Sequence, residues 1–304
     1  MGTLPVHLHG CHYVLGEDER QVAQIPGLAG FVVKNQMIDD PALWGWGRYR
    51  VSALSAAELV AETARRSLAE FGDRRPPVDA VILCTTRVPA DVDRHADIVG
   101  RLLENLGLRH AIPYGVTLNR CATLLAGFSL AEALIRSGRH RAILLAAGDT
   151  IAADDQRLRS FAVFSDGAAS CVVSAGEDGE YELLGTAAAV DAGTMRSNGE
   201  ISADLARQAS SQLLAQAGVG FRDIQRLAHN NLFKPIVDMK EQQAGFRRDQ
   251  LYLDNIARIG HVFACDPMIN LIDLARGGSV APGGLLMLGS SVSGARFGAL
   301  LRKS

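Results

Sequence analysis

Three side chains in this 304-residue sequence are well suited to nucleophilic chemistry: Cys121, His229 and His261. Cys121 stands in "LNRCATLLAGF", directly before small and apolar residues that are typical of a buried helix. A thiol at a helix N-terminus faces unpaired backbone N–H groups and the positive end of the helix dipole, which favours the thiolate. Free cysteine is also among the most buried residue types, so Cys121 alone leaves a simple packing role open.

A cysteine nucleophile usually needs a base or cationic partner, and His229 and His261 are the candidates. Both lie far from Cys121 in the sequence, so only the fold can bring them to the thiol. Acyl transfer also requires hydrogen-bond donors for a developing oxyanion. Backbone N–H groups in the glycine turn "GSSVSGARFG" (289–298) are candidates for that task. These hypotheses therefore depend on the elements that position the residues.

Those elements alternate between helices and short apolar runs. The first helix has Ser55 as a candidate N-cap and Gly72 as a stop signal. The pattern predicts a helix at 52–72, a strand at 78–86, a helix at 121–138, a strand at 141–149 and, after a glycine-containing turn, a further strand within 161–176. Continuous apolar strands are expected where both faces of a sheet are covered. The alternation predicts an α/β protein with a largely parallel sheet.

The second half of the sequence repeats this order. Cys121 lies 17 residues before Gly138, at the end of a helix, and His261 lies 17 residues before Gly278 in the same context. Under a duplication, Cys121 and His261 occupy equivalent places and meet at the junction of the two halves, where ligand sites in such folds tend to lie. The alternative is that the two halves merely share the common α/β alternation.

Composition and charge exclude several classes of function. The chain has 31 basic and 33 acidic residues, a formal net charge of −2 and no basic block, so we expect no nucleic-acid or membrane partner. Its five cysteines are odd in number and widely spaced, which fits a reducing compartment better than a disulfide framework. There is no signal-peptide pattern, and the apolar runs are too short to span a membrane. We expect a cytoplasmic protein.

The segment "HLHGCHY" (7–13) is the one candidate for a metal site. On a strand, His7, His9 and Cys11 would share one face, at a spacing that could bind zinc. No fourth ligand on that face is evident, so we expect no metal.

An ordered series of motifs resembles a known family. The series comprises "CATLLAGFSLAEALIRSG", "AAGDT", "FSDGAASCVV", "AHNN" and "APGGLLMLGSSVSGARFGALL". From about residue 50 onward it is similar to the thiolase-like condensing enzymes, and within them to the 3-ketoacyl-acyl-carrier-protein synthase III branch. The resemblance implies a thiolase-like α/β fold with two duplicated halves in a layered αβαβα sandwich. We expect the halves to be 1–175, carrying the cysteine, and 176–304, carrying the two histidines.

The resemblance also implies a role for each matching residue. Cys121 would accept the acyl group as a thioester, and the N–H groups of Cys121 and Gly294 would hold its carbonyl oxygen. His229 would assist decarboxylation of a malonyl-type extender, or act as a base toward another acceptor. His261 replaces the usual asparagine, as in the elongating condensing enzymes, and an imidazole can serve as a base where an amide cannot. Lys234 matches a basic residue beside the carrier-docking surface.

Three functions follow from the resemblance. The first is condensation of an acyl-Cys intermediate with a malonyl-type or other carbon nucleophile, in specialised metabolism such as polyketide assembly. The second is acyl transfer to an amine or hydroxyl, and the third is a non-catalytic subunit that supports an active homologue. The substrates would be acyl thioesters on acyl carrier protein or coenzyme A, with no further cofactor. The family implies a homodimer, and a heterodimer with a homologue is the alternative.

Overall fold

A computed structural model describes residues 4–72, 76–87, 92–176, 178–197 and 200–304 of the chain. The strands are β1 (Val6–Leu15), β2 (Asp18–Gln21), β3 (Arg48–Val51), β4 (Ala80–Cys84), β5 (Ile112–Val116), β6 (Ala142–Asp149), β7 (Leu158–Arg159), β8 (Ala162–Val163), β9 (Gly167–Ala175), β10 (Tyr181–Val190), β11 (Ile224–Ala228), β12 (Leu285–Val292) and β13 (Ala295–Lys303). The helices are α1 (Leu28–Lys34), α2 (Pro41–Trp44), α3 (Ala56–Phe71), α4 (Val92–Asn105), α5 (Thr123–Arg136), α6 (Ala192–Ser197), α7 (Ala203–Gln216), α8 (Lys234–Ala244), α9 (Asp254–Ile259) and α10 (Asp266–Arg276).

The main sheet has nine strands, in the order β11-β12-β13-β10-β1-β9-β6-β4-β5. Strand β4 pairs in parallel with β5 and β6, and β11 pairs in parallel with β12, whereas the strands between them run antiparallel. The sheet is therefore mixed, and the prediction of a largely parallel sheet is wrong. On each side of the central β1–β10 pair, two antiparallel neighbours are followed by one parallel strand. These are β13, β12 and β11 on one side and β9, β6 and β4 on the other, where β5 adds an edge strand. This symmetry is the one expected of two duplicated α/β halves.

Helices lie in three layers around the two halves of the sheet. Helix α3 packs on β1, β9 and β6, and α7 packs on β10 and β13. Between the halves lie α5 and α10, each of which contacts strands of both. The largest apolar cluster consequently combines side chains of α5, α10 and both halves of the sheet. The α5–α10 layer therefore places the segments that precede these two helices side by side.

The predicted elements around the nucleophile are confirmed. Helix α3 begins after Ser55, whose side chain accepts a hydrogen bond from the Glu58 backbone N–H while Glu58 caps the Ser55 backbone in return, and it ends at Gly72. Helix α5 and strand β6 lie within the predicted ranges 121–138 and 141–149. The predicted boundary between residues 175 and 176 falls in the connection from β9 to β10. None of the helices in the described part of the chain is long and apolar enough to cross a bilayer.

The expected common face of His7, His9 and Cys11 is wrong. The pairing of β1 with β9 shifts register between His9 and His12, and Gly10 adopts a φ of 55° at this bulge. Because the bulge inserts a residue, Cys11 packs into the central apolar cluster with Val6 and Leu8. His7 instead bonds the Gly176 carbonyl, and His9 bonds the Ser174 hydroxyl.

Candidate active site

Cys121 lies in a 3-10 turn, Arg120–Ala122, between β5 and α5. Arg120 has a φ of 51°, a left-handed conformation that residues other than glycine rarely adopt and that costs of order 1–3 kcal/mol. Of the five cysteines, four are buried, and Cys121 alone is partly exposed and lines a cleft. The turn therefore presents this thiol at the start of the helix, as the sequence predicts.

His261 is the imidazole that contacts the thiol. Its Nε2 atom lies 3.2 Å from Cys121 Sγ. The segment that carries His261 is held on β8 and its neighbours, because the His261 N–H donates to the Val163 carbonyl at 2.8 Å and its carbonyl accepts from the Ser165 N–H at 2.9 Å. The ring is fully buried and packs against Phe164, with centroids 4.8 Å apart. Packing and backbone pairing thus fix the imidazole toward the cysteine.

Asp266 completes this arrangement and was not identified from the sequence. Its carboxylate contacts His261 Nδ1 through Oδ2, and it accepts hydrogen bonds from the backbone N–H groups of Val262 and Asn231, each at 2.7 Å. Asn231 adds a side-chain N–H at 3.3 Å. The only sequence signal was that Asp266 directly precedes Pro267 and stands at the first position of α10, where acidic residues are common. Cys121, His261 and Asp266 therefore form a Cys-His-Asp triad.

The triad controls the charge of the imidazole. Burial alone would lower the pKa of His261, but the Asp266 carboxylate and the adjacent Cys121 sulfur outweigh it and raise that pKa to about 10. At neutral pH, His261 is therefore an imidazolium that faces the Asp266 carboxylate on one side and the Cys121 sulfur on the other. An imidazolium 3.2 Å from sulfur stabilises a thiolate at Cys121.

His229 is buried at the end of β11 and has other partners. Its Nδ1 atom faces the Asn230 carbonyl at 3.1 Å, and its Nε2 atom lies 3.0 Å from Glu241 Oε1 and 3.3 Å from Ser291 Oγ. Glu241 also pairs with Arg296. Burial alone would raise the pKa of this carboxyl, but Arg296 and His229 outweigh burial and hold it at about 2. Cys121 is not among the hydrogen-bonding partners of His229 in the described ranges. In the described part of the chain, His261 is thus the histidine that hydrogen-bonds to the thiol, and the catalytic role of His229 stays a prediction.

Asn230 joins the three segments that meet at the site. Its Oδ1 atom accepts from Ser290 Oγ at 2.6 Å and from the Ser291 N–H at 3.1 Å, and its Nδ2 atom lies 3.4 Å from the carbonyls of Cys121 and Phe263. Ser290 Oγ also lies 2.9 Å from the Cys121 carbonyl. Asn230 and Ser290 therefore fix the nucleophile turn to β12 and to the loop of His261.

The predicted oxyanion donors have different surroundings. Among the described residues, the Cys121 N–H has no hydrogen-bond acceptor, so it is available for a substrate oxygen. Gly294 lies in the β12–β13 turn with a φ of 74°, and its carbonyl accepts from the Asp191 N–H at 2.8 Å. A Cβ atom at Gly294 would lie 2.4 Å from the Met195 backbone nitrogen, so this turn packs against α6. The oxyanion roles of both residues remain predictions.

The cleft in front of Cys121 has a volume of about 650 Å³. Its apolar walls come from Phe161, Ile201, Leu232, Ile236, Met239 and Val292. Arg120, Glu200 and Lys240 also line it, and Lys240 Nζ lies 3.5 Å from Glu200 Oε2. The predicted carrier contact, Lys234, lies at the start of α8, where its side chain covers Gly45. The shape and apolar character suit an acyl chain bound next to the nucleophile.

Two family profiles match the chain. Residues 117–192 match 3-oxoacyl-[acyl-carrier-protein] synthase III, and residues 214–303 match the C-terminal part of the same family. Together they cover more than half of the chain and contain all three triad residues. The chain belongs to the ketosynthase III branch of the thiolase-like superfamily. Enzymes of this branch transfer or condense acyl groups carried as thioesters.

Individual relatives of this ketosynthase III-like chain are distant. It is 26% identical to the beta-ketoacyl-[acyl-carrier-protein] synthase III of Phocaeicola vulgatus over 175 residues, which span 52% of the chain and 51% of that relative. The enzyme of the same description from Neisseria gonorrhoeae is 23% identical over 269 residues, with 81% and 83% covered. The 2-heptyl-4(1H)-quinolone synthase subunit PqsC of Pseudomonas aeruginosa is 29% identical over 146 residues, with 44% and 41% covered.

Solved structures share the thiolase-like fold across the whole chain. ChlB3, described as an acyltransferase, is 17% identical with a TM-score of 0.82 and covers 98% of both chains. Xanthomonas campestris OleA with bound lauric acid and lauroyl-CoA is 14% identical with a TM-score of 0.82 and covers 99% of this chain and 100% of its own. The fold of the ketosynthase III-like chain is thus thiolase-like.

Proposed function

We propose that this protein is an acyltransferase that moves an acyl group from a thioester, through an acyl-Cys121 intermediate, to an amine or hydroxyl acceptor. The observation that carries the proposal is the position of His261, with Nε2 at 3.2 Å from Cys121 Sγ and Nδ1 on Asp266. This is the arrangement of a nucleophile, a base and a group that orients the base. A buried and oriented triad also argues against a non-catalytic subunit.

In the first half-reaction, Cys121 thiolate attacks the carbonyl carbon of the donor thioester. A bond forms between Sγ and this carbon, and the carbon–sulfur bond of the donor breaks when the tetrahedral intermediate collapses. His261 gives its Nε2 proton to the departing thiolate, so the donor leaves as a thiol. The Cys121 N–H, which has no acceptor in the described part of the chain, is placed to bind the carbonyl oxygen.

In the second half-reaction, neutral His261 takes a proton from the acceptor at Nε2. The acceptor nitrogen or oxygen then bonds to the acyl carbon, and the bond to Cys121 Sγ breaks to restore the thiolate. Asp266 holds the ring in the tautomer with a proton on Nδ1, so that Nε2 can accept. Every proton transfer in this sequence uses a group that contacts the thiol.

Condensation with a malonyl-type extender is the second candidate, and family membership favours it. Decarboxylation produces an enolate, which a ketosynthase must bind with side chains facing the cleft. His229, which the resemblance assigns to this step, is engaged by Glu241 and the Asn230 carbonyl. For this reason we place condensation second to transfer onto nitrogen or oxygen.

The donor that we propose is an acyl group on acyl carrier protein or coenzyme A, and the acceptor belongs to specialised metabolism such as polyketide assembly. The N. gonorrhoeae relative named above is described as a beta-ketoacyl-[acyl-carrier-protein] synthase III. We also propose a homodimer, in which β5 pairs with its copy. This strand is the edge of the sheet, and Ile112 on it is 40% exposed.

The deciding experiment is intact-mass analysis after incubation with acyl-coenzyme A or acyl-carrier-protein donors. We expect the wild type and the control Cys11→Ala to gain one acyl group, and Cys121→Ala to gain none. Equal labelling of Cys121→Ala would reject the nucleophile. Amine or alcohol acceptors should then remove the acyl group, whereas carbon dioxide release from a malonyl donor would favour condensation instead.

A further inference from the structure

Ser291 lines the cleft, and its hydroxyl oxygen contacts two nitrogen atoms of residues outside the cleft. The side chain lines the same cleft as Cys121 and His261. Its Oγ atom lies 2.9 Å from Arg296 Nη1 and 3.3 Å from His229 Nε2. Arg296 lies on β13 and His229 directly follows β11, and neither side chain lines the cleft.

Both neighbours donate to this oxygen. A guanidinium has hydrogens only, so Arg296 cannot accept. His229 Nε2 lies 3.0 Å from Glu241 Oε1, and the carboxylate is ionised because Arg296 also binds it. A ring nitrogen that faces a carboxylate carries a hydrogen. Ser291 Oγ therefore receives hydrogen bonds from two groups and cannot give its own hydrogen to either.

The hydrogen of the Ser291 hydroxyl consequently points elsewhere. A hydroxyl has one hydrogen and two lone pairs, and both lone pairs of Ser291 have donors. The described residues offer this hydrogen no acceptor, and the remaining side of Ser291 is the cleft. Donation to the oxygen by a guanidinium polarises the O–H bond and makes the hydroxyl a stronger donor.

We propose that the Ser291 hydroxyl donates a hydrogen bond to the carbonyl oxygen of the acyl group on Cys121 and stabilises the tetrahedral intermediates. Ser291 is then a catalytic residue, and His229 is a positioning residue that acts through it. This inference rests on the proposed acyl-Cys121 chemistry. It gives His229, the other histidine that the family resemblance singles out, a role that requires no contact with substrate.

The first test compares Ser291→Ala with Ser291→Thr, which keeps a hydroxyl. Loss of one oxyanion donor typically lowers kcat about 10²- to 10³-fold, and we expect this for Ser291→Ala with KM changed less than about threefold. The kcat of Ser291→Thr should be at least about tenfold higher than that of Ser291→Ala. The matched control is Ser174→Ala, which removes another buried serine hydroxyl bonded to a histidine ring, remote from the cleft. It should keep the wild-type kcat.

The outcomes separate this inference from the proposed function. If wild type forms acyl-Cys121 and Ser291→Ala turns over at the wild-type rate, the role of Ser291 is wrong and the acyltransferase stands. If wild type never forms acyl-Cys121, both are wrong. A fall in kcat that accompanies a lowered Tm, and that Ser291→Thr does not reverse, reports loss of packing and also rejects the inference.

A double-mutant cycle tests the role of His229. His229→Gln should lower kcat by itself but should cause no further loss in the Ser291→Ala background, because it acts through that hydroxyl. A histidine that acts directly on substrate would add its own loss in both backgrounds. Additive losses would therefore overturn the positioning role.

Discussion

Asp266 determines what His261 can do. An imidazole beside a thiol has two tautomers, and only the one with a proton on Nδ1 leaves Nε2 free to accept from Cys121 or an acceptor. The Asp266 carboxylate selects this tautomer and is itself fixed by the backbone N–H groups of Val262 and Asn231. In the proposed mechanism, His261 can therefore act as a base only together with this carboxylate.

Asp266→Asn should lower kcat/KM about 10²- to 10⁴-fold, because an amide can present an N–H to Nδ1 and impose the opposite tautomer. The measurement is steady-state acyl transfer with any donor that labels the wild type. Asp273→Asn on the same helix is the control, since Asp273 bonds Tyr13 and Arg258 outside the cleft. A variant Asp266→Asn with wild-type kcat/KM would remove Asp266 from the catalytic set.

The charge on His261 can be measured directly. Burial alone would lower the pKa of His261, but Asp266 and Cys121 raise it to about 10, so removing either of these two groups should lower that pKa. An NMR titration of the His261 ring should give the highest pKa in the wild type and a lower pKa in both Cys121→Ala and Asp266→Asn. If all three proteins titrate at the same pH, the imidazolium–thiolate pair is wrong.

Among the elements, β1 and α3 approach each other closely at Gly10. Gly10 has a φ of 55°, and a Cβ atom there would lie 2.6 Å from the Ser67 carbonyl oxygen of α3. The bulge at Gly10 lets the central strand approach the helix and turns Cys11 into the core. Glycine is required here for two separate reasons, its conformation and its lack of a side chain.

Gly10→Ala should therefore lower the free energy of unfolding more than the same substitution at a glycine that has a positive φ but no close neighbour. Gly138 has a φ of 72° and no atom within 4 Å of its virtual Cβ. We expect Gly138→Ala to cost about 1–2 kcal/mol and Gly10→Ala at least about 2 kcal/mol more. Urea unfolding of both variants checks the difference. Equal losses would show that β1 and α3 can separate at no cost.

At the scale of the whole molecule, the ionic cluster of His229, Glu241 and Arg296 connects the core to the cleft. Glu241 on α8 and Arg296 on β13 are each about 1% exposed, and they join the helix to the β12–β13 hairpin. Removing one partner would leave uncompensated buried charge, which is strongly destabilising. The same cluster that positions Ser291 thus also contributes to stability.

This cluster should make the protein sensitive to acid. The folded pKa of Glu241 is about 2, below its ordinary value of 4.5, so its contribution is present above pH 4.5 and is lost as the pH falls toward 2. That contribution is on the order of 3 kcal/mol. Urea unfolding at pH 7, 5 and 3 measures it.

Two substitutions make the acid experiment specific. Glu241→Gln should be less stable at pH 7 but should lose less stability between pH 5 and 3 than the wild type. Glu182→Gln, which removes an exposed ion pair with Arg302, should retain the wild-type acid dependence. Identical pH profiles for wild type and Glu241→Gln would mean that folding does not lower the pKa of Glu241.

The sequence by itself determined the α/β class and the duplication, which puts Cys121 and His261 in equivalent places of the two halves. These follow from local periodicity and from the position of each residue relative to its own helix, which short-range interactions fix. The sequence could not distinguish the two histidines, because whether an imidazole faces a thiol or a carboxylate depends on which elements pack together. Only the tertiary structure assigned His261 to Cys121 and His229 to Glu241, and only it brought Asp266 and Ser291 into the site. Buried polar groups must find partners, and in this fold those partners come from segments far apart in the chain.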